Sequence, residues 1–291
     1  MSNPYIAHAQ SITATDIYNI DNTIWYRVLQ KLQTQQQPAI DFADNIVALC
    51  EHKSPTHLRL LPNDLSRNAL HYPTEVERLF NLDKGLIIIS GSHGSGKTTL
   101  LLHLLQNLGN RTLQADINLP TLKNCKWLLS NDQADVHIME LHDAQSSLDA
   151  LNAASHQLVI AQINAGNTVD AMRKLLIWLS QYPEQLIQDL MADQIKSIVS
   201  CALVKTTNQQ IRPIIGIAHS NESIRAQIKQ GHFHEIEQFV QRGNAGSGSL
   251  SFDIQLANLL QSRTISMEEA LRLAIEPATM RLRASGIIHN D

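Results

Sequence analysis

The stretch "GSHGSGKT", residues 91–98, has residue types at spacings that could do phosphate chemistry. It fills the pattern GxxxxGK[ST], in which the glycines let backbone N–H groups turn inward around phosphate oxygens. Lys97 is expected to reach the β- and γ-phosphates of a nucleoside triphosphate, and the hydroxyl of Thr98 is expected to bind Mg²⁺. The predicted nucleotide contacts are Gly91, Ser92, His93, Gly94, Ser95, Gly96, Lys97, Thr98 and Thr99.

The segments on both sides of this loop have the patterns that such a site needs. Residues 85–91, "GLIIISG", form a β-prone apolar run that is typical of a strand buried on both faces. Residues 97–109, "KTTLLLHLLQNLG", predict a helix that stops at Gly109. Strand, glycine loop and helix in this order are the context in which the motif binds phosphate.

A site of this kind usually also has an acidic residue at the end of a neighbouring strand, where it organises Mg²⁺ or water. Glu140 follows the apolar stretch "DVHIM" at 135–139, and we predict that it holds Mg²⁺ together with Thr98. Asp143 comes shortly after it and is the competing candidate.

Apolar runs and helical periodicities alternate through the middle of the chain. Strands are predicted at 58–62, 111–117, 135–139 and 157–163. Helices are predicted at 73–84, 144–154, 168–180 and 184–191. This alternation predicts an α/β fold with a parallel sheet, and the chain becomes mostly helical from about residue 222.

The composition narrows the class of protein. The chain of 291 residues carries a net charge of −4 and has no run of Lys and Arg, so nucleic acid is not expected as the main partner. Cys50, Cys125 and Cys201 are widely spaced, which favours packed thiols in a reducing compartment over disulfides. No signal-peptide pattern or membrane-length apolar run occurs, so we expect a soluble, cytoplasmic protein. We interpret the histidines of "HFH", 232–234, as solvated side chains, not as metal ligands.

The order of several segments resembles that of the type IV pilus retraction ATPases, the PilT and PilU type within the secretion-ATPase superfamily. The segments that carry this resemblance are "RLLP" at 59–62, "ALNAASHQLVIAQI" at 150–163, "SIRAQIKQG" at 223–231 and "SLSFDIQLANLL" at 249–260. The resemblance is weak in identity, but its segments keep a consistent order over nearly the whole chain.

The resemblance implies both a fold and an assembly. It implies a small, shortened PAS-like α+β domain at 1–70, a RecA-like P-loop ATPase core at 71–220 and a helical C-terminal part at 221–291. It also implies a ring of six subunits that binds ATP and Mg²⁺ between subunits. The ring would be a homo-oligomer or a mixture with a PilT-type ATPase, cytoplasmic and peripheral at the inner membrane, where it meets a pilus platform protein. Arg59 matches an arginine that reaches a neighbour's ATP in this family, and an ordinary surface arginine is the equal alternative.

The chain departs from the family pattern where that pattern activates water. The nearest match to the family's acidic strand is "LQADINLP", 113–120, in which Asp116 stands for the first acid but Pro120 falls where the catalytic glutamate belongs. Asn164 takes the place of the family's histidine, and "MELHD" replaces "GEMRD" around Glu140. Because proline cannot act as a base, the water-activating group is predicted to be lost.

We therefore predict an ATP-binding subunit of the retraction-ATPase type with weak or absent hydrolysis and an accessory role. Two alternatives remain open. One is an active retraction motor that uses an unrecognised acid such as Asp116, and the other is a P-loop kinase of a small molecule. The kinase is ranked last because the chain lacks an arginine-rich lid segment and because a kinase does not explain the C-terminal resemblance.

Overall fold

The computed structural model describes residues 39–43, 46–50, 58–62, 65–109, 111–116, 128–129, 134–241 and 248–285. These residues fall into two compact units that divide after Leu70. Each unit has its own sheet.

The first unit contains a three-stranded antiparallel sheet. Its strands, in sheet order, are β1 (Ala39–Ala43), β2 (Ile46–Cys50) and β3 (Leu58–Pro62). The strand predicted at 58–62 is thereby confirmed as β3. The predicted PAS-like domain at 1–70 lies largely outside the described residues, so its full topology stays a prediction.

The second unit is built on a seven-stranded sheet with the order β10-β9-β4-β8-β7-β5-β6. Its strands, in chain order, are β4 (Gly85–Ser90), β5 (Thr112–Ala115), β6 (Leu128–Leu129), β7 (Val136–Leu141), β8 (Leu158–Ile163), β9 (Ile195–Lys205) and β10 (Ile211–His219). Every neighbouring pair is parallel except β9 with β10. The predicted α/β class with a parallel core sheet is confirmed.

Helices connect these strands and follow them. In the described residues they are α1 (Lys97–Asn107), α2 (Ala144–Ala153), α3 (Thr168–Trp178), α4 (Glu184–Gln194), α5 (Glu222–Lys229), α6 (Phe233–Gln241), α7 (Phe252–Gln261), α8 (Met267–Leu273) and α9 (Pro277–Ala284). The helical spacing predicted at 73–84 is a 3-10 helix, Thr74–Asn81, that buries Val76 and Leu79. None of the helices in the described part of the chain is long and apolar enough to cross a bilayer.

The two faces of the large sheet are covered by different helices. One hydrophobic cluster joins Ile88, Met139, Leu141 and Ile163 of the sheet to buried residues of α2, α3, α4, α5 and α6. The connection through α1 crosses the sheet in the opposite direction to the connection through α2. Because parallel crossovers are right-handed, α1 lies on the other face. We call these the α2 face and the α1 face.

Strands β9 and β10 were not predicted from the sequence. β9 pairs in parallel with β4, so the strand that leads into the glycine loop has a neighbour on each side, β8 and β9. Both unpredicted strands contain short β-branched runs, "SIVS" and "PIIGIA", which are the signal that could have revealed them. Placing β4 inside the sheet buries every one of its residues and gives the loop a rigid base.

The predicted helical C-terminal part packs around the end of β10. Phe252, Leu256 and Met280 form a second hydrophobic cluster with Val204 and Ile214 of the sheet. The described residues of the C-terminal part therefore belong to the second unit. The domain boundary predicted at residue 220 stays a prediction, because this clustering does not separate the two parts.

Candidate functional site

The glycine loop follows the central strand β4 and leads directly into α1. Gly91 allows a close approach of backbone, because a Cβ atom there would lie 2.2 Å from Oγ of Ser95 and 2.7 Å from the carbonyl oxygen of Cys201. Gly96 caps α1 with a φ of 94°, in the left-handed region that favours glycine. The loop can therefore curl tightly enough to direct backbone groups toward a single centre.

The charges around this loop favour an anion. The ammonium of Lys97 donates hydrogen bonds to the carbonyl oxygens of Gly91 at 2.7 Å and Ser92 at 2.8 Å. The first turn of α1 has no acidic residue, so nothing on it opposes the positive end of the helix dipole. The hydroxyl of Ser95 is buried and has no hydrogen-bond partner among the described residues. Such a cradle suits phosphate oxygens.

Glu140 lies on the same side of the sheet as α1. It is the exposed residue of an otherwise buried strand, β7. It is in register with Gln162 of β8, which is in register with Ile89 of β4. Residues in register on parallel strands project to the same face, and Ile89 and Glu140 alternate with residues of the α2-face cluster. Glu140 thus reaches the carboxyl edge of the sheet on the α1 face.

Asp143, the competing acid, has a different role in the structure. Its carboxylate accepts the backbone N–H of Ser146 at 2.8 Å and the hydroxyl of Ser146 at 2.7 Å, which forms a capping box at the start of α2. These hydrogen bonds hold the pKa of Asp143 below its usual value, the backbone N–H contributing most. Asp143 is therefore used as a helix cap.

Asp116 does not lie on the same face of the sheet as Glu140. Its Oδ2 lies 2.8 Å from Nε2 of His137, a buried side chain of β7. His137 and Glu140 are an odd number of residues apart on one strand, so they project to opposite faces. The structure thus places Asp116 against the α2 side of β7.

Asn164 lies just beyond the end of β8, next to the glycine loop. Its main-chain carbonyl oxygen accepts a hydrogen bond from the ammonium of Lys174 on α3. Both residues line a cavity of about 450 Å³ that also borders Ser92. The same ammonium lies 5.9 Å from the ring centroid of Trp178. The loop after β8 is therefore tied to α3.

The other predicted residues lie away from the glycine loop and Glu140, or they fall outside the described part of the chain. Arg59 pairs with Leu49 in the small sheet, and its side chain and Pro120 are outside what the structure describes. His232 and His234 border a groove of about 610 Å³ beside Phe233. Within the described ranges, no group of three or more His, Cys, Asp or Glu side chains could hold a metal ion.

Gln162 is a residue that the sequence reasoning missed. It is buried inside β8 on the α1 face, between the strands that carry the glycine loop and Glu140. A polar residue within the apolar run "LVIAQI" was the available signal.

Comparisons with known proteins bear on this arrangement. No protein-family model matches the chain. The chain is 22% identical over 250 residues to the twitching motility protein of Neisseria gonorrhoeae, covering 76% of this chain and 67% of that protein. It is 21% identical over 227 residues to the type IV pilus retraction ATPase PilT of Pseudomonas aeruginosa, covering 69% of this chain and 66% of that one. It thus spans about two thirds of the length of the curated relatives it matches.

The fold is also similar to that of a solved retraction motor. The pilus retraction motor PilT with bound ADP matches with a TM-score of 0.66 and 17% identity, covering 86% of this chain and 81% of that one. The glycine loop after a central strand of a mostly parallel sheet is the arrangement of a P-loop α/β protein. The resemblance predicted from the sequence is confirmed: the chain is weakly similar in sequence, and clearly similar in fold, to the PilT-like secretion ATPases.

Proposed function

We propose that this chain binds Mg-ATP at residues 91–99 and acts as an accessory, PilT-like subunit of a type IV pilus retraction machinery. The observation that carries the proposal is the glycine loop at the end of β4, with Lys97 and Glu140 at the same sheet edge. The relatives named above support the pilus setting. Hydrolysis by the chain itself is proposed to be weak or absent.

The residues of the loop would hold the phosphates. Lys97 would leave the carbonyl oxygens of Gly91 and Ser92 and turn to phosphate oxygens, since a charged acceptor forms the stronger hydrogen bond. Thr98 and Glu140 offer a hydroxyl and a carboxylate, the oxygen ligands that Mg²⁺ prefers. Bound Mg²⁺ would neutralise charge on the phosphates. The exposed carboxylate of Glu140 fits this role without breaking any bond that the structure shows.

The case for weak hydrolysis is that the two other acids considered, Asp116 and Asp143, have other contacts and that the family's catalytic glutamate is missing. Asp116 is bound to His137 and Asp143 caps α2, so neither is poised at the phosphate loop. Pro120 stands where the resemblance places a catalytic glutamate. Without a positioned base, turnover loses roughly two to four orders of magnitude.

The assembly follows from the relatives, as part of the same proposal. The chain would join a ring, as a homo-oligomer or together with a PilT-type ATPase, on the cytoplasmic side of the inner membrane beside a pilus platform protein. Arg59 of one subunit would reach the nucleotide of its neighbour. No nucleic acid partner is proposed, since the chain has a net charge of −4.

An active motor is the second candidate, and the exposure of Glu140 favours it. An exposed carboxylate at the end of β7 could orient water if the nucleotide brings water within its reach. The two candidates are separated by measuring Mg-ATP binding by calorimetry beside phosphate release by the same purified protein. Binding with background phosphate release supports the accessory subunit, while rapid phosphate release supports the motor. Absence of binding contradicts both.

A further inference from the structure

The side chain of Gln162 is only 8% exposed, yet its amide nitrogen has no hydrogen-bond partner among the described residues. Native proteins rarely leave a buried donor unpaired, because it has lost its bonds to water. Such a group needs a partner, which a bound water, ion or ligand can supply. The position of Gln162 shows what that could be.

Gln162 is the last residue but one of β8 and lies on the α1 face. Its in-register neighbours are Ile89, next to the end of the strand that enters the glycine loop, and Glu140. Neighbouring strands are about 4.8 Å apart, so the amide stands between the base of the loop and the carboxylate. A half-turn of the amide exchanges its oxygen and nitrogen, so the donor can face the loop without moving the backbone.

We propose that Gln162 donates a hydrogen bond to the terminal phosphate of a bound nucleoside triphosphate and so distinguishes it from the diphosphate. This inference rests on the proposed function, since it needs a nucleotide in the loop. The amide is neutral and does not take up a proton in the working pH range. It can therefore bind the terminal phosphate without activating water, which fits a subunit that responds to ATP with little turnover.

Asn164 takes the place of the family's histidine. It is placed less well than Gln162 for a hydrogen bond to the terminal phosphate. It lies on the loop beyond the end of β8, where Lys174 of α3 donates to its main-chain carbonyl oxygen. Gln162 instead projects from the rigid strand, where packing fixes its backbone. A site on a strand holds its geometry more closely than one on a loop.

The competing interpretation is that Gln162 only supports the Glu140 carboxylate beside it. That role would affect Mg²⁺, which accompanies both ADP and ATP, so both affinities would fall together. A contact to the terminal phosphate affects ATP alone. The ratio of the two affinities therefore separates the interpretations.

The test uses the full chain and calorimetric titration with Mg-ADP and with Mg-AMPPNP, an ATP analogue that is not hydrolysed. Gln162→Met keeps the length of the side chain and removes its hydrogen bonds. We expect the affinity for the analogue to fall about 10-fold or more, while the affinity for ADP stays within about twofold. Gln162→Glu adds negative charge at the same place and should lower analogue affinity further. Gln188→Met, which replaces another buried glutamine on α4, should change neither affinity.

The inference is wrong if both Gln162 variants lose affinity for Mg-ADP and for Mg-AMPPNP equally, so that the ratio of the two affinities is that of the wild type. If the wild type binds neither nucleotide, it is the proposed function that fails. Thermal unfolding of the nucleotide-free variants controls for folding. Because Gln162→Met removes an unpaired buried donor, its melting temperature should equal or exceed that of the wild type.

Discussion

Nε2 of His137 lies 2.8 Å from Oδ2 of Asp116, while Glu140, on the same strand as His137, projects to the opposite face of the sheet. The two acids that the sequence offers for catalysis are therefore separated by the sheet itself. Asp116 is half-exposed and held by a buried imidazole. Substituting Asp116 and substituting Glu140 are therefore expected to have different effects on nucleotide chemistry.

Removing Asp116 should leave nucleotide chemistry unchanged, whereas removing Glu140 should not. Asp116→Asn keeps an oxygen that can accept from His137, so any phosphate release should stay within about twofold of the wild type. Glu140→Gln removes the negative charge at the loop edge, and residual release should fall to background, by about 100-fold if it is measurable. Single-turnover phosphate release by the three proteins is the measurement. Robust wild-type release that Asp116→Asn abolishes would restore the motor that uses Asp116.

Nucleotide binding should depend on Lys97. Lys97→Ala removes the ammonium that now lies on the carbonyl oxygens of Gly91 and Ser92. We expect Mg-ATP affinity to fall about 100-fold or more, since charge-assisted hydrogen bonds to phosphate are lost. Calorimetry on this variant beside Lys84→Ala, an exposed lysine before β4, is the check. Equal affinities in the two variants would show that the loop does not bind the nucleotide.

The Asp143 cap should make the stability of α2 sensitive to acid. Hydrogen bonds from Ser146 lower the pKa of Asp143 in the folded protein, the backbone N–H first and the hydroxyl second. A carboxyl whose pKa is lowered by folding stabilises the protein above its unfolded pKa, about 3.9, and loses that contribution as pH falls through the folded value. Asp143→Asn still caps the helix but does not titrate.

The melting temperature should therefore fall less between pH 7 and about pH 3 in Asp143→Asn than in the wild type. The matched control is Asp149→Asn, on the same helix, whose carboxylate accepts from the side chain of Gln145. This variant removes a carboxyl of the same helix and leaves the Asp143 cap in place. If Asp143→Asn and Asp149→Asn behave alike, the cap does not contribute to the acid dependence.

Nucleotide should favour assembly if the chain forms a ring with ATP between subunits. A ligand that binds the oligomer more tightly than the monomer shifts the equilibrium toward the oligomer. Sedimentation velocity with Mg-AMPPNP should therefore show a larger species than sedimentation without nucleotide, and Lys97→Ala should not respond. A monomer under both conditions would contradict the homo-oligomer and leave a mixed ring to be tested by adding a PilT-type ATPase.

Local patterns were enough to predict the glycine loop and its context. The spacing of Gly91, Gly96, Lys97 and Thr98 identifies the loop by itself, because these residues lie close together in the chain and act on the same phosphates. The predicted strands at 85–91, 111–117, 135–139 and 157–163 correspond to β4, β5, β7 and β8 within a few residues. Strong apolar runs and turn residues are local signals, so one sequence can reveal them.

Only the tertiary structure shows the order of the strands in the sheet and the face to which each side chain projects. Whether Asp116, Glu140 or Asp143 stands beside the loop depends on which strands pair and in which register, and those contacts join residues far apart in the chain. A shift of one residue in register turns a side chain to the other face of the sheet. The sequence by itself therefore determined a phosphate loop between a buried strand and a helix. Only the packed sheet decided that Asp116 turns to His137, that Asp143 caps α2, and that Glu140 and Gln162 share the face of α1, because register and packing are properties of the whole fold.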